Sequence, residues 1–336
     1  MIHLIFEIGI LALAVAYFAL INMVAFIVVF IDARRTSGFV FFALAGGGLG
    51  VFLGLLFSGH KATTRSLKII AIAGLLIAAI PAIHIIHAFT LDRTIRYVEI
   101  DFHAANWPAA LDGYRIAFIT DLHGITDASM RAVADELNVR GIDLLLLGGD
   151  FSMRGDHYWG TLREISRVDA TDGIFGVDGN HDVYWRLFAA MARYGIRPLD
   201  NDGLLIRDGF FLAGVQDLWH RHPNIARATL GAGSDDFILL LTHNPDVAMR
   251  QPTAHVDLIL AGHTHNGQIA FFGYPFYLLL RSITQFGTRF GYGFAYSADG
   301  VPVFTSSGIG VYYSVPRVFA RPEVVIFTMY QASPRP

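Results

Sequence analysis

Cysteine is absent from all 336 residues. That excludes a disulfide framework, a thiolate nucleophile and any sulfur-based metal site, so a metal in this protein has to be held by Asp, Asn and His. Such donors suit Mn, Fe or Zn better than Cu(I). Charge is scarce as well: 16% of residues are charged against 54% hydrophobic, and the net charge is -3. No basic stripe is present, which excludes nucleic acid as a partner, because phosphate backbones are bound by clustered Lys and Arg. Internal repeats and low-complexity runs are missing too, and nothing in the pattern points to a protein partner.

What the chain has in excess is apolar length, and it is confined to the N-terminal region. Residues 4–31 are apolar apart from Glu7 and Asn22, longer than the roughly 20 residues that a bilayer-crossing helix needs. This run lacks a basic leader and is too long for a signal peptide. Further spans are expected over about 39–57, interrupted by Gly46-Gly47-Gly48, and 67–89, which holds Pro81, His84 and His87. The two histidines are read as headgroup-level residues rather than a relay. The expected organisation is a bundle of about three transmembrane helices in 1–92, a linker over 93–113 beginning with a short strand at Tyr97–Ile100, and a soluble domain over 114–330. Arg34, Arg35, Arg93 and Arg96 on one side balance Lys61, Arg65, Lys68 and the amino terminus on the other, so the side faced by the domain is left open. The spans carry too few polar residues for a transporter or receptor.

Beyond the spans, apolar strands repeatedly run into metal-type residues. Ile116–Thr120 leads into Asp121-Leu122-His123, Leu144–Gly149 into Asp150, and Ile174–Val177 into Asp178-Gly179-Asn180-His181-Asp182. Phe237–Thr242 leads into His243, and Asp257–Ala261 into Gly262-His263-Thr264-His265. One such strand end could be a turn that happens to hold histidines; five argue for ligands converging on one place. A helix from Asp127, read as its cap, to Val139 with a stop at Gly141, and another near Tyr184–Tyr194, alternate with these strands. That rhythm indicates an α/β core with parallel pairing. Later strands at Phe210–Gly214, Val301–Ser306 and Glu323–Met329 have shorter connections, as a two-sheet sandwich requires.

These ordered blocks resemble the motif set of the calcineurin-like metallophosphoesterases over about 115–329. The tail Phe304-Thr305-Ser306-Ser307-Gly308-Ile309-Gly310 with Arg321-Pro322-Glu323 is similar to the membrane-attached bacterial branch, in which a second glycine usually stands where this chain has Asn266. The resemblance implies a two-sheet β-sandwich flanked by helices and two divalent metal ions per chain, whether Mn, Zn, Fe or Mg, bridged by Asp150. Asp121, His123 and His265 would complete one site, and Asn180, His243 and His263 the other. Hydroxide generated at the metals would attack phosphorus in line. His181 is implied to face the substrate, with Asp182 either orienting its ring or capping the helix ahead of Tyr184. His220 and His222 read as an exposed loop, while Arg221 is a candidate contact for substrate phosphate.

The expected activity is hydrolysis of a phosphoester or pyrophosphate, of a lipid-linked substrate, at the bacterial inner membrane. A UDP-2,3-diacylglucosamine pyrophosphatase-like enzyme is its most specific form, and a metal-binding scaffold without catalysis is the rival from another class. Residues 271–296, rich in Phe, Tyr and Leu and broken by glycines, read as an element lying in the membrane surface. Tyr277, Leu278, Leu279 and Arg281 are its candidate lipid contacts.

Overall fold

The structure, a computed structural model, describes residues 83, 86, 87 and 90–332, apart from 154–157, 271–273, 276–282 and 312–316. The chain divides into two units, Met1–Ile86 and His87–Pro336, and the description concerns the second. Its strands in chain order are β1 (Arg96–Ala104), β2 (Tyr114–Ile119), β3 (Leu144–Leu147), β4 (Ile174–Gly176), β5 (Ile196–Pro198), β6 (Asp202–Arg207), β7 (Phe210–Gly214), β8 (Phe237–Leu241), β9 (Leu258–Ala261), β10 (Gly293–Tyr296), β11 (Pro302–Thr305) and β12 (Glu323–Gln331). They form two six-stranded sheets, ordered β1-β12-β2-β3-β4-β5 and β10-β11-β9-β8-β7-β6. Strands β2 to β5 are parallel in the first sheet, as are β7, β8, β9 and β11 in the second. Helices α1 (Asp127–Arg140), α2 (Trp159–Ile165), α3 (Tyr184–Arg193), α4 (Ile225–Ala228) and α5 (Val247–Arg250) occupy connections between strands. Two mixed sheets flanked by helices are the α/β sandwich that the strand rhythm calls for.

The period of two along each strand explains the layers. In β2, Ile116 and Phe118 enter the core between the sheets with Leu144, Leu146, Leu239 and Leu260. Ala117 and Ile119 point the other way and meet Met130, Val133 and Leu137 of α1. On the far face of the second sheet, Ala213, Leu240 and Ile259 pack against Ile225, Val247 and Ala248. Strands buried on both faces must be apolar throughout, hence runs such as Leu144-Leu145-Leu146-Leu147. Each fully buried Leu or Phe contributes roughly 1.5–3 kcal/mol relative to exposure, which makes the strand ends rigid mounts for whatever follows them.

Several expectations are corrected. The cap of α1 is Thr126, whose side chain accepts from the Ser129 N–H, and Asp127 is the first helical residue. The strand expected at Tyr97–Ile100 is longer, since β1 runs to Ala104 and pairs along its whole length with β12, and Trp107, within the expected linker, is fully buried in the core between the sheets. Strands β5, β6 and β10 and helices α2, α4 and α5 were not among the expected elements, because they are short or largely polar. Among the described residues no helix is long and apolar enough to cross a membrane; the spans expected over 4–31 and 39–57, and nearly all of 67–89, lie outside them. His87, expected near the headgroups at the end of a third span, stacks on Phe319 with ring centroids 4.0 Å apart and lies 2.6 Å from Asp92. In the segment read as lying in the membrane surface, Phe290 is fully buried and 293–296 form β10, so that part belongs to the second sheet. Tyr274, Tyr292, Phe294 and Tyr296 remain exposed, and Tyr277, Leu278, Leu279 and Arg281 lie outside the described residues.

Helices α1 and α2 are joined by Glu164, whose carboxylate meets Arg131 at 2.9 Å, Arg163 at 3.0 Å and Arg167 at 3.2 Å. Hydrogen bonding from Arg131, aided by the other two, pulls its pKa down to about 2. A depressed folded-state pKa gives stability that is present above the ordinary carboxylate range and lost as pH falls toward that value. Glu164→Gln is therefore expected to lower the thermal midpoint at neutral pH and to flatten its fall between about pH 4 and 2. Circular dichroism melts across that range check this; an unchanged acid limb would remove Glu164 from the account.

Candidate metal centre

Seven ligand-type side chains arrive at one locus from the C-terminal ends of parallel strands, where α/β sheets open a crevice. Asp121 and His123 follow β2, Asp150 follows β3, Asn180 follows β4, His243 follows β8, and His263 and His265 follow β9. They form two buried groups, Asp121–His123–His265 and Asp150–His243–His263, each offering three ligand atoms within 4.8 Å of one another. In the first, His265 Nε2 lies 3.2 Å from Asp121 Oδ1 and 3.0 Å from His123 Nε2. In the second, His243 Nε2 lies 3.3 Å from Asp150 Oδ2 and 3.3 Å from His263 Nδ1, and the Asn180 amide oxygen approaches it to 3.2 Å.

The turns that present these groups are strained in a common way. Asp121, Asp150, His263 and His265 all have φ between 51° and 70°, a left-handed region that costs non-glycine residues energy and persists where surroundings enforce it. Asn266 shares it at 51°, which accounts for asparagine at a position where glycine is the easier choice. Gly262 has to lack a side chain, since a Cβ there would fall on the Thr120 hydroxyl and the Asp121 carboxylate. Outer hydrogen bonds then set the ring directions. His243 Nδ1–H donates to Gly148 O at 2.8 Å and turns Nε2 inward; His263 Nε2–H donates to Ile283 O at 2.9 Å and turns Nδ1 inward.

Electrostatics give the centre a divided character. Burial opposes ionisation of both carboxyls, yet His265 holds Asp121 and His243 holds Asp150 below the usual carboxylate range. Burial also disfavours a charged His243, and the Asp150 carboxylate overrides this and raises its pKa. His123 and His263 go the other way, pushed down to about 3 by burial and by the neighbouring histidines. Each group thus offers one carboxylate and neutral or displaceable imidazoles, buried and pre-aimed, a donor set that fits a divalent cation.

The remaining candidates are placed more variously. His181 is half-buried at the rim, its ring 5.7 Å from that of His123, and its backbone N–H donates to Asp150 Oδ1 at 2.9 Å. Asp182 does not cap α3, whose cap residue is Val183. Its carboxylate accepts from the N–H groups of Phe151, Ser152 and Gly179 and so clips the Asp150 loop to the Gly179–His181 turn. Arg221 is spoken for: it pairs with Asp178 at 3.3 Å and Asp200 at 2.8 Å and lies 3.8 Å from the Tyr184 ring centroid. His220 and His222 are exposed.

One residue was missed. Arg317 is fully buried, donates to the carbonyls of Gly310 at 2.7 Å, Ser307 at 2.7 Å and Ala320 at 3.0 Å, and brings Nη2 within 3.3 Å of His265 Nδ1. Burial lowers its pKa to about 10, which leaves it charged. A lone arginine among Val, Pro, Phe and Ala could have been suspected of burial, but nothing in its spacing ties it to the histidines.

Residues 114–267 match the calcineurin-like phosphoesterase family. The uncharacterized metallophosphoesterase YkuE of Bacillus subtilis is 29% identical over 66% of this chain and 81% of its own. The phosphodiesterase YaeI of Escherichia coli is 28% identical over 64% of this chain and 82% of its own. A transmembrane protein with metallophosphoesterase domain from Danio rerio is 25% identical over 70% of this chain and 58% of its own.

Removing the guanidinium from Arg317 would take a donor from the carbonyls of Gly310, Ser307 and Ala320 and a neighbour from His265 Nδ1. Partners of this outer kind typically change metal affinity by about 10–100-fold. Arg317→Gln is expected to weaken metal binding at the Asp121–His123–His265 group selectively, read by metal analysis after graded chelation. Equal retention of both ions with wild-type chelation curves would show that Arg317 only fills space.

Proposed function

With residues 114–267 a calcineurin-like metallophosphoesterase domain, and the chain thereby a metal-dependent phosphoester hydrolase, we propose that it cleaves a lipid-linked phosphoester or pyrophosphate at a two-metal centre. The observation that carries the proposal is the adjacency of two buried three-residue groups, Asp121–His123–His265 and Asp150–His243–His263. Asp121, His123 and His265 would hold one ion, and His243, His263 and the Asn180 oxygen the other. Asp150, whose charge acts on His243 and also on His123 of the other group, would be shared between the two ions. When bound, two such ions neutralise the phosphate and lower the pKa of a water.

The chain's own groups do the rest. His181 is kept below its ordinary pKa, chiefly by burial, so at neutral pH it is an uncharged imidazole whose N–H can serve an oxygen that gains charge. Asp182 holds the turn that carries it, and so acts as a positioning residue. Asn180 adds an oxygen without adding charge, which keeps the centre attractive to an anion.

The lipid-linked substrate and the membrane tether are the finer part of the proposal. The apolar spans of 1–92, the aromatic residues exposed around 274–296, and the name of the Danio rerio relative all support it. On this reading the domain faces the bilayer that holds its substrate, and the lipid phosphate reaches the metals without leaving the membrane.

Asp150→Asn is expected to abolish turnover and to lower metal content below two ions per chain, more than any other single ligand change. His181→Ala should keep both ions while turnover falls about 10²–10⁴-fold. Near-normal turnover of the first variant, or metal loss in the second, would refute the respective role. For the lipid reading, Tyr277, Leu278 and Leu279 are replaced together by Ser. Selective loss of activity on a membrane-embedded substrate, with a soluble aryl phosphodiester still cleaved, is expected; equal loss of both would count against it.

A further inference from the structure

We infer that Trp219 is a stacking subsite for a planar aromatic ring carried by the substrate's ester group, an inference that rests on the phosphoesterase reading above. The loop that holds this side chain follows β7 and is tied down at both ends. Fully buried Asp217 accepts from the N–H groups of Trp219 and His220, both at 2.8 Å. At the other end Arg221 is anchored on Asp178, Asp200 and the Tyr184 ring, and the Asn201 amide donates to the His222 carbonyl at 2.9 Å. A loop this constrained has the means to bury an indole. Trp219 is nonetheless 39% exposed.

Its exposed ring stands next to the metal centre. Trp219 meets His263 edge to face with centroids 4.7 Å apart, and His263 belongs to the second group, its Nδ1 facing His243 Nε2 at 3.3 Å. A phosphate held by that group therefore has the indole within one ring's reach of its ester substituent.

The chemistry of the wall selects the occupant. Arg221 cannot serve a second phosphate, because Asp178 and Asp200 already neutralise it. The rings that Trp219 and Arg221 meet among the described residues are His263, Tyr184 and Phe188, three flat side chains at one edge of the centre. A neutral planar group satisfies both conditions, and stacking on an indole tolerates any ring with a π face. An aryl ester and a nucleobase both qualify, and they differ in how far the ring lies from phosphorus.

The test compares wild type, Trp219→Leu and Trp219→Phe in the full-length, Mn-loaded protein. Three substrates are used: glycerophosphocholine, which has no ring, bis(p-nitrophenyl) phosphate, and p-nitrophenyl thymidine 5′-phosphate. Trp219→Leu is expected to raise KM about tenfold for a ring-bearing ester, with kcat and metal content unchanged, to leave glycerophosphocholine unaffected, and to be restored in part by Trp219→Phe. A rise confined to the thymidine ester assigns the subsite to a nucleobase; a rise on both assigns it to a ring adjoining the phosphate. Equal changes on all three substrates, or loss of metal in Trp219→Leu, would overturn the inference. An independent reading is the quenching of tryptophan fluorescence by thymidine 5′-monophosphate, which should saturate in wild type and be lost in Trp219→Leu. Unaltered quenching also overturns the subsite, whereas a wild type that cleaves no ester but shows this quenching refutes the phosphoesterase reading alone.

Discussion

Two buried carboxylates in one small volume are the constraint around which this domain is built. Asp121 and Asp150 are almost wholly inaccessible to solvent, and a charge so placed costs several kcal/mol unless partners surround it. The chain meets the cost locally. Asp121 accepts from the His263 N–H and the Thr120 hydroxyl, Asp150 accepts from the His181 N–H, and each carboxylate has a histidine at about hydrogen-bonding range. To aim so many donors inward, four of the six residues in the two groups adopt left-handed backbone. Strain of this kind survives only on rigid mounts, and the doubly buried strands β2, β3, β8 and β9 are those mounts. The sandwich core therefore has a direct functional consequence, since softening it would release the turns before it unfolded the sheets.

Much of this was legible because the same feature writes both signals. A strand buried on two faces has to be continuously apolar, and a metal-type residue directly after such a run stands out against it; Leu144–Leu147 followed by Asp150 is an example. The five strand ends and the two-sheet core were read on that basis, whereas the choice of seven ligand candidates among the residues there came from the family resemblance. What could not be read were contacts made through the main chain or across long separations. Gly148 O and Ile283 O orient His243 and His263, yet any residue could supply those carbonyls. Asp182 was expected either to orient the His181 ring or to cap the helix ahead of Tyr184, whereas its oxygens serve three N–H groups on two loops. Arg221 looked free because Asp178 and Asp200 are distant in sequence. Strand β1 was expected only over Tyr97–Ile100, because Asp101, His103 and Ala104 carry no apolar run to extend it, whereas it continues to Ala104 at the edge of the sheet.

The segment that follows β11 joins the metal centre to the point where the chain enters the domain. Arg317 connects His265 to the carbonyls of Ser307, Gly310 and Ala320. Two residues on, the Phe319 N–H donates to Asp92, and Arg321 reaches the carbonyl and hydroxyl of Thr94. Glu323 then takes Arg96 on one side and Ser306 and the Ser307 N–H on the other, with its own side chain fully buried. Residues 92–96 are thus part of the wall that supports His265. Because Glu323 would become an uncompensated buried charge if Arg96 withdrew, the first strand and the loop under the metal centre must hold or yield together. The N-terminal side of the domain is in this way tied into the same network of buried charges that surrounds His265.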